Sequence, residues 1–318
     1  MNFKYHLIRF GWKLTSLLPF WFLYFISDLI YFPLYYLVRY RRKVVRKNLT
    51  NAFPQKTEKE IVQIEKKFYS TFCDYIMETV KLMNMKPEDV KKHLRFEGTE
   101  MVERIISEKG KSCVVYMGHN FNWEFVVSLP LHFSNPNIQF GQIYHPLSDK
   151  SMDKLFLDLR EQYGSESITM AGTLRRILQL QKENKPFVIG FIADQVPTWE
   201  AINHWLNFFN QDTPVFTGTE KIARRTSSSV FYMSMRQEKR GQFVATFHLI
   251  SEDASKTEEN ELTNKYFNLL EENIKEQPHL WLWTHKRWKR TRQGYAEREA
   301  KRARDLQKLK EKNQNAQS

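Results

Sequence analysis

The run PFVIGFIA (186–193) is apolar throughout and is bounded by polar residues on both sides. A strand with one wet face alternates apolar and polar residues. An unbroken apolar run of this length reads as a strand covered on both faces, as in a sheet sandwiched between helices. Its neighbours agree. Residues 112–117 (SCVVYM) and 138–144 read as strands, and 229–235 and 243–250 as two more, with a turn at Gly241. Helical spacing marks 122–132, 150–163, 173–182, 218–225 and 258–274, and earlier a charged stretch at 58–67 followed by an amphipathic one at 70–83. This alternation predicts an α/β fold, a mixed central sheet flanked by helices. No internal repeat or low-complexity linker interrupts it.

The N-terminus departs from that pattern. Residues 14–38 (LTSLLPFWFLYFISDLIYFPLYYLV) carry one formal charge, Asp28, and are long enough to span a bilayer. Pro19 and Pro33 break or kink a helix there, Asp28 would sit near mid-bilayer, and the dense aromatic residues suit an interface. No small-residue cleavage site follows. Instead comes the basic cluster at 39–47, suited to anionic lipid. Two readings stand: a membrane-associated helical segment, or an apolar hairpin packed on the domain itself.

A formal charge of +13 favours an anionic partner, whether membrane, acidic protein, phosphorylated substrate or nucleic acid. A hydrophobic content of 42% excludes a disordered chain. Cys73 and Cys113 lie in apolar stretches and read as buried small hydrophobes in a reducing compartment. Residues 286–312 hold 12 Lys and Arg against 4 Asp and Glu. After Arg298 this reads as a solvated charged helix that frays into Asn, Gln and Ser, free or in contact with a membrane or acidic protein.

Chemistry concentrates in GHNFNWE (118–124). His119 and Glu124 fall between a strand end and a helix start, the crevice where ligands sit in open α/β sheets. A carboxylate on one imidazole nitrogen fixes the tautomer while the other nitrogen takes a proton. No G-x-S-x-G nucleophile motif and no metal-ligand spacing accompanies the pair, so the attacking hydroxyl would belong to a substrate. H-x4-E alone has low specificity and fits a structural histidine better than a catalytic one.

The wider pattern resembles the glycerolipid and lysophospholipid acyltransferases, and more narrowly the late (lauroyl and myristoyl) acyltransferases of lipid A biosynthesis. The stretch at 119–124 is similar to their H-x4-D/E block. Arg42, Val45, Asn48, Leu49, Phe53 and Pro54 match an R-x-x-V-x-x-N-L-x-x-x-F-P segment, and YHPLSD (144–149) a Y-R-P-L segment followed by Arg160 and Gly164. Asp194-Gln195 stands as a D-Q pair, Phe208 to Asn210 with Thr217-Gly218-Thr219 resembles an F-F-G…T-G segment, and PHLWLWTHKRWK (278–289) resembles the ending. His145 replaces an Arg and Asn210 a Gly.

The resemblance implies a glycerolipid acyltransferase-like fold with an anchoring segment at 1–47, an acyltransferase domain at 48–290 and a basic tail at 291–318. It implies His119 as general base oriented by Glu124, an acyl carrier protein or coenzyme A thioester as donor, and a lipid A precursor or other lysolipid or aminolipid as acceptor. No metal or cofactor and no nucleic acid is expected, and the location is the cytoplasmic face of a bacterial inner membrane. Arg160 is a candidate oxyanion or phosphate cation, or a surface helix charge. Asp194 and Gln195 position the acceptor or cap the next element. Thr217 and Gly218 hold a phosphate at a helix start or form an N-cap. Tyr144 belongs to the same substrate-binding set. The tryptophans at 281, 283 and 288 read as packing.

Overall fold

The computed structural model describes residues 3–315. Helices α1 (Phe3–Ser16) and α2 (Phe20–Phe32) form an N-terminal hairpin. Pro19 precedes α2, and Pro33 opens a π-helical turn, Pro33–Val38, as the prolines led us to expect. Next come α3 (Arg42–Ala52), α4 (Glu58–Leu82), begun by a Thr57–Glu60 capping box, and α5 (Pro87–His93). The α/β body then runs β1 (Leu94–Glu97), α6 (Thr99–Lys109), β2 (Cys113–Met117), β3 (Gln139–Tyr144), α7 (Lys150–Glu161), β4 (Glu166–Thr169), α8 (Thr173–Lys182) and β5 (Phe187–Ile192). It continues with β6 (His204–Phe208), β7 (Gln211–Val215), α9 (Gly218–Arg225), β8 (Ser229–Lys239), β9 (Gln242–Ser251) and α10 (Glu261–Glu276), and ends in α11 (Arg292–Asn315).

Seven strands form one sheet in the order β1-β9-β8-β2-β5-β3-β4, and β6 and β7 form a separate hairpin. The sheet is mixed: β8 and β9 pair antiparallel, and every other neighbour pairs parallel. Alternation along β2 and β5 feeds two cores. Val114 and Tyr116 join one with Phe187, Ile189 and Phe191, while Cys113, Val115 and Met117 join the other with Val188. The unbroken apolar run at 186–193 therefore has its physical reason, cover on both faces. One expected helix differs: Trp123–His132 winds as a 3-10 helix and contains Pro130, which has no N–H to donate. Both cysteines are buried, and burial pushes each thiol up to about 12.

Of the two N-terminal readings, the hairpin packed on the domain itself is what the structure shows. The inner face of the hairpin packs on the domain, chiefly on α4, while its outer face is exposed. In α11 the side chains of residues 297–308 are exposed, as a solvated helix requires; the last residues of the tail, 316–318, lie outside the described residues. The first part of α11 is tethered by Arg298 to Glu200 and by Arg292 to Asp212, both at 2.6 Å.

Beneath the hairpin, Glu78 is 1% exposed and accepts from Tyr24 Oη and Asn122 Nδ2, each at 3.0 Å. Burial pushes its carboxyl up to about 7, with the two hydrogen bonds opposing. A folded pKa above the unfolded value of 4.5 gives a contribution that is complete below about pH 4.5 and lost as pH rises through about 7. Between about pH 4 and pH 8 the stability of wild type relative to Glu78→Gln should therefore fall by about 3 kcal/mol. Denaturant unfolding at both pH values measures this, and a pH-independent difference contradicts it.

Candidate active site

The site is built where β2 and β5 end. Met117 pairs with Ile192 in parallel register, so the residues two beyond each strand, His119 and Asp194, come side by side. Gly118 fits because a Cβ there would stand 2.6 Å from Leu270 Cδ1 and 3.0 Å from Asn120 Oδ1. Tyr266 Oη donates to the Met117 carbonyl at 2.8 Å and steadies the strand end. On the other side the 280–282 segment closes over the loop. Asn120 and Trp281 form an antiparallel bridge, Phe121 N donates to Leu280 O at 2.9 Å, and Leu282 N donates to His119 O at 3.1 Å.

Asp194 is 2% exposed and fully engaged. Its Oδ1 faces His119 Nδ1 at 2.5 Å, and its Oδ2 accepts the His119 backbone N–H at 2.8 Å and the Trp281 indole N–H at 2.7 Å. Burial by itself would raise this carboxyl, but the facing His119 ring and these donors hold it at about 2. A carboxylate can only accept, so Nδ1 carries the ring proton and Nε2 presents its lone pair. Gln195 Nε2 lies 3.2 Å from His119 Nε2, which makes its amide the donor to that lone pair. Trp123 meets the ring edge-on at 5.1 Å between centroids.

The expectation that Glu124 orients His119 is not what the structure shows. Glu124, 2% exposed, takes a two-pronged ion pair from Arg160, with Nε to Oε2 at 2.9 Å and Nη2 to Oε1 at 2.5 Å, plus the Trp123 indole N–H at 3.1 Å. A buried carboxylate takes the nearest cation, and α7 supplies one in forked geometry. Arg160 is thus neither a free clamp nor a surface charge. Its guanidinium also lies over Phe156 at 5.1 Å. Asn122 caps the following turn, its Oδ1 accepting from Glu124 N at 3.0 Å. Asp194, expected to position the acceptor or cap the next element, here accepts three donors from His119 and Trp281.

The remaining expected residues are more dispersed. Tyr144 ends β3, half-buried; burial raises its phenol first, with Asp153 and Glu161 adding to that and Arg160 opposing. Gly218 begins α9 after Thr217, whose side chain makes no cap and whose buried Oγ1 has no hydrogen-bond partner among the described residues. No described hydrogen bond joins Thr217 or Gly218 to His119. Trp281, read from the sequence as packing, is also a donor to Asp194. His285 accepts the Val196 N–H at 3.3 Å, and burial pushes its imidazole down to about 4.

Removing Arg160 leaves Glu124 charged and buried without a cation. Arg160→Ala should cost about 3 kcal/mol in denaturant unfolding, and Glu124→Gln in the same chain should return most of it. Equal stabilities of wild type and Arg160→Ala would contradict the pairing.

Comparison with known proteins adds two findings. The family model described as Bacterial lipid A biosynthesis acyltransferase matches residues 2–290. A shorter likeness, 31% identical over 118 residues, joins this chain to ubiquitin-conjugating enzyme E2 14 of Schizosaccharomyces pombe (strain 972 / ATCC 24843). It covers 36% of this chain and 66% of that protein, so the chain spans just under two thirds of that curated relative.

Proposed function

This chain belongs to the bacterial lipid A biosynthesis acyltransferase family, and from that membership and the site geometry we propose a membrane-associated O-acyltransferase with His119 as its general base. The observation that carries the chemistry is the ring itself. Nδ1 is held by a buried carboxylate, and Nε2 is covered by a neutral amide that a substrate hydroxyl can displace. The donor in this reading is an acyl thioester of acyl carrier protein or coenzyme A, and the acceptor is a hydroxyl of a lipid A precursor.

The steps follow from those positions. The acceptor O–H replaces the Gln195 amide at Nε2 and gives up its proton as its oxygen attacks the thioester carbonyl carbon. The imidazolium is stabilised by Asp194, as in other carboxylate–histidine pairs. The tetrahedral intermediate then collapses, the C–S bond breaks, and the leaving thiolate takes the proton back from His119. Products are the ester and the free thiol. The thioester is already activated, so this sequence uses no cofactor. Glu124 and Arg160 act as positioning residues: their ion pair locks the turn that carries Trp123 against the ring. The net positive charge suits an acidic carrier protein, phosphorylated lipid and an anionic leaflet at the cytoplasmic face of a bacterial inner membrane.

His119→Ala should abolish acyl transfer in the purified full chain, and Asp194→Asn should lower kcat by on the order of a thousandfold while the fold persists. Glu124→Ala should lose both activity and stability. Full turnover by His119→Ala would end the general-base reading. Mass spectrometry of lipid A from cells lacking the protein tests the acceptor: loss of one acyl chain supports it, whereas unchanged lipid A with altered lysolipids or aminolipids points to the other acceptor class.

A further inference from the structure

We infer that the N-terminal hairpin lies within one leaflet of an anionic bilayer and does not cross it. This deepens the membrane association proposed above and is independent of the acyl chemistry.

The outer face is built for lipid. Along α1, Phe3, Leu7, Phe10 and Leu14 recur at helical spacing and are 59–80% exposed. Along α2, Trp21, Phe25, Leu29 and Phe32 repeat the pattern at 53–71%. Of the 18 exposed large hydrophobic side chains among the described residues, 13 lie between Phe3 and Tyr40. That concentration makes one contiguous region the candidate for burial against a partner. Exposed Arg9, Lys13, Arg39, Arg41 and Lys43 flank it, which selects an anionic lipid surface over an uncharged apolar partner.

The inner face rules out a span. The stretch Phe20–Val38, at 19 residues, is long and apolar enough to cross a bilayer by length and composition. Its length is about 28 Å, close to a hydrocarbon core. Yet its inward side chains are hydrogen-bonded along the whole stretch to ionisable residues of α4. Tyr24 Oη donates to Glu78 at 3.0 Å, Ser27 Oγ to Asp74 at 2.6 Å, and Tyr35 Oη to Glu65 at 2.8 Å. Asp28, on the same helix, is held by Arg240 at 2.6 Å, and Arg240 also binds Asp74 at 2.6 Å. Lys81 Nζ donates to the Ser16 and Leu18 carbonyls, both at 2.8 Å. A crossing α2 would either drag α4 and its charges into hydrocarbon or strip these partners from three buried carboxyls. Lying flat, the hairpin keeps every one of them and buries only its outer rows.

Two chains with one added cysteine each test this, Lys13→Cys before α2 and Lys43→Cys after it, since the native Cys73 and Cys113 are buried. A membrane-impermeant maleimide is applied to right-side-out and to inverted membrane vesicles carrying each full-length variant. Labelling of both sites from the same side is expected; labelling from opposite sides establishes a span and overturns the inference. Flotation with phosphatidylcholine vesicles, with and without phosphatidylglycerol, tests the surface directly. The Phe25→Asp/Leu29→Asp pair should weaken partitioning on the order of a hundredfold with the circular dichroism spectrum unchanged. Unaltered flotation of that variant, or a wild type that fails to float with either vesicle, also overturns it. The acyl-transfer assay of His119→Ala is separate, so failure of the topology and failure of the chemistry are distinguishable.

Discussion

The parallel pairing of β2 with β5, Met117 opposite Ile192, decides where His119 and Asp194 stand. A slip of one strand by one residue would turn its side chains to the other face of the sheet and part His119 from Asp194, so the register must be held firmly. Two cores hold it, because alternate residues of both strands are buried on opposite sides. The same burial makes Asp194 expensive unless every oxygen is satisfied, and the three donors from His119 and Trp281 satisfy them. Burial and hydrogen bonding thus act together: the first makes the carboxylate demanding, and the second fixes the histidine that meets the demand.

The loop would still be open without the distant ends of the chain. Asn48 Nδ2 on α3 donates to the Trp283 and His285 carbonyls, both at 2.9 Å, and Phe53 packs against Trp283 at 5.9 Å. The segment that covers His119 is therefore itself held by residues more than two hundred positions earlier. Arg287 in that segment is fully buried, with Nη2 on the Pro214 carbonyl at 2.8 Å and its Nε and Nη1 without hydrogen-bond partners among the described residues. Burial lowers it to about 10, and attraction to Asp194 opposes that shift. The two buried charges of opposite sign offset part of each other's desolvation.

Strands and helices that carry a clear apolar period were legible in the sequence: the run at 186–193 became Phe187–Ile192, and 173–182 and 218–225 became α8 and α9 at the expected bounds. His119 was legible because its loop follows such a strand. Its true partner was not, since Asp194 lies 75 residues away and only the strand register joins them. Glu124 was the nearest carboxylate in sequence, but Arg160 on α7 captures it. The short edge strands Leu94–Glu97 and Glu166–Thr169 carry too few residues to show a period. The Asn210 departure from a glycine pattern proved conservative: Phe209 and Asn210 adopt φ of 52° and 58° in a two-residue hairpin turn, and Asn tolerates that region better than most side chains.

The inner face of the hairpin has a practical consequence for anyone who wants a water-soluble form of this enzyme. Removing the first 38 residues would take away the Tyr24, Ser27 and Tyr35 hydroxyls that serve Glu78, Asp74 and Glu65. The Asn122 amide, one residue before Trp123, would keep its bond to a Glu78 newly open to water. The hairpin is part of the domain's own wall, so solubility is better sought by recolouring its outer rows with polar residues than by cutting it off.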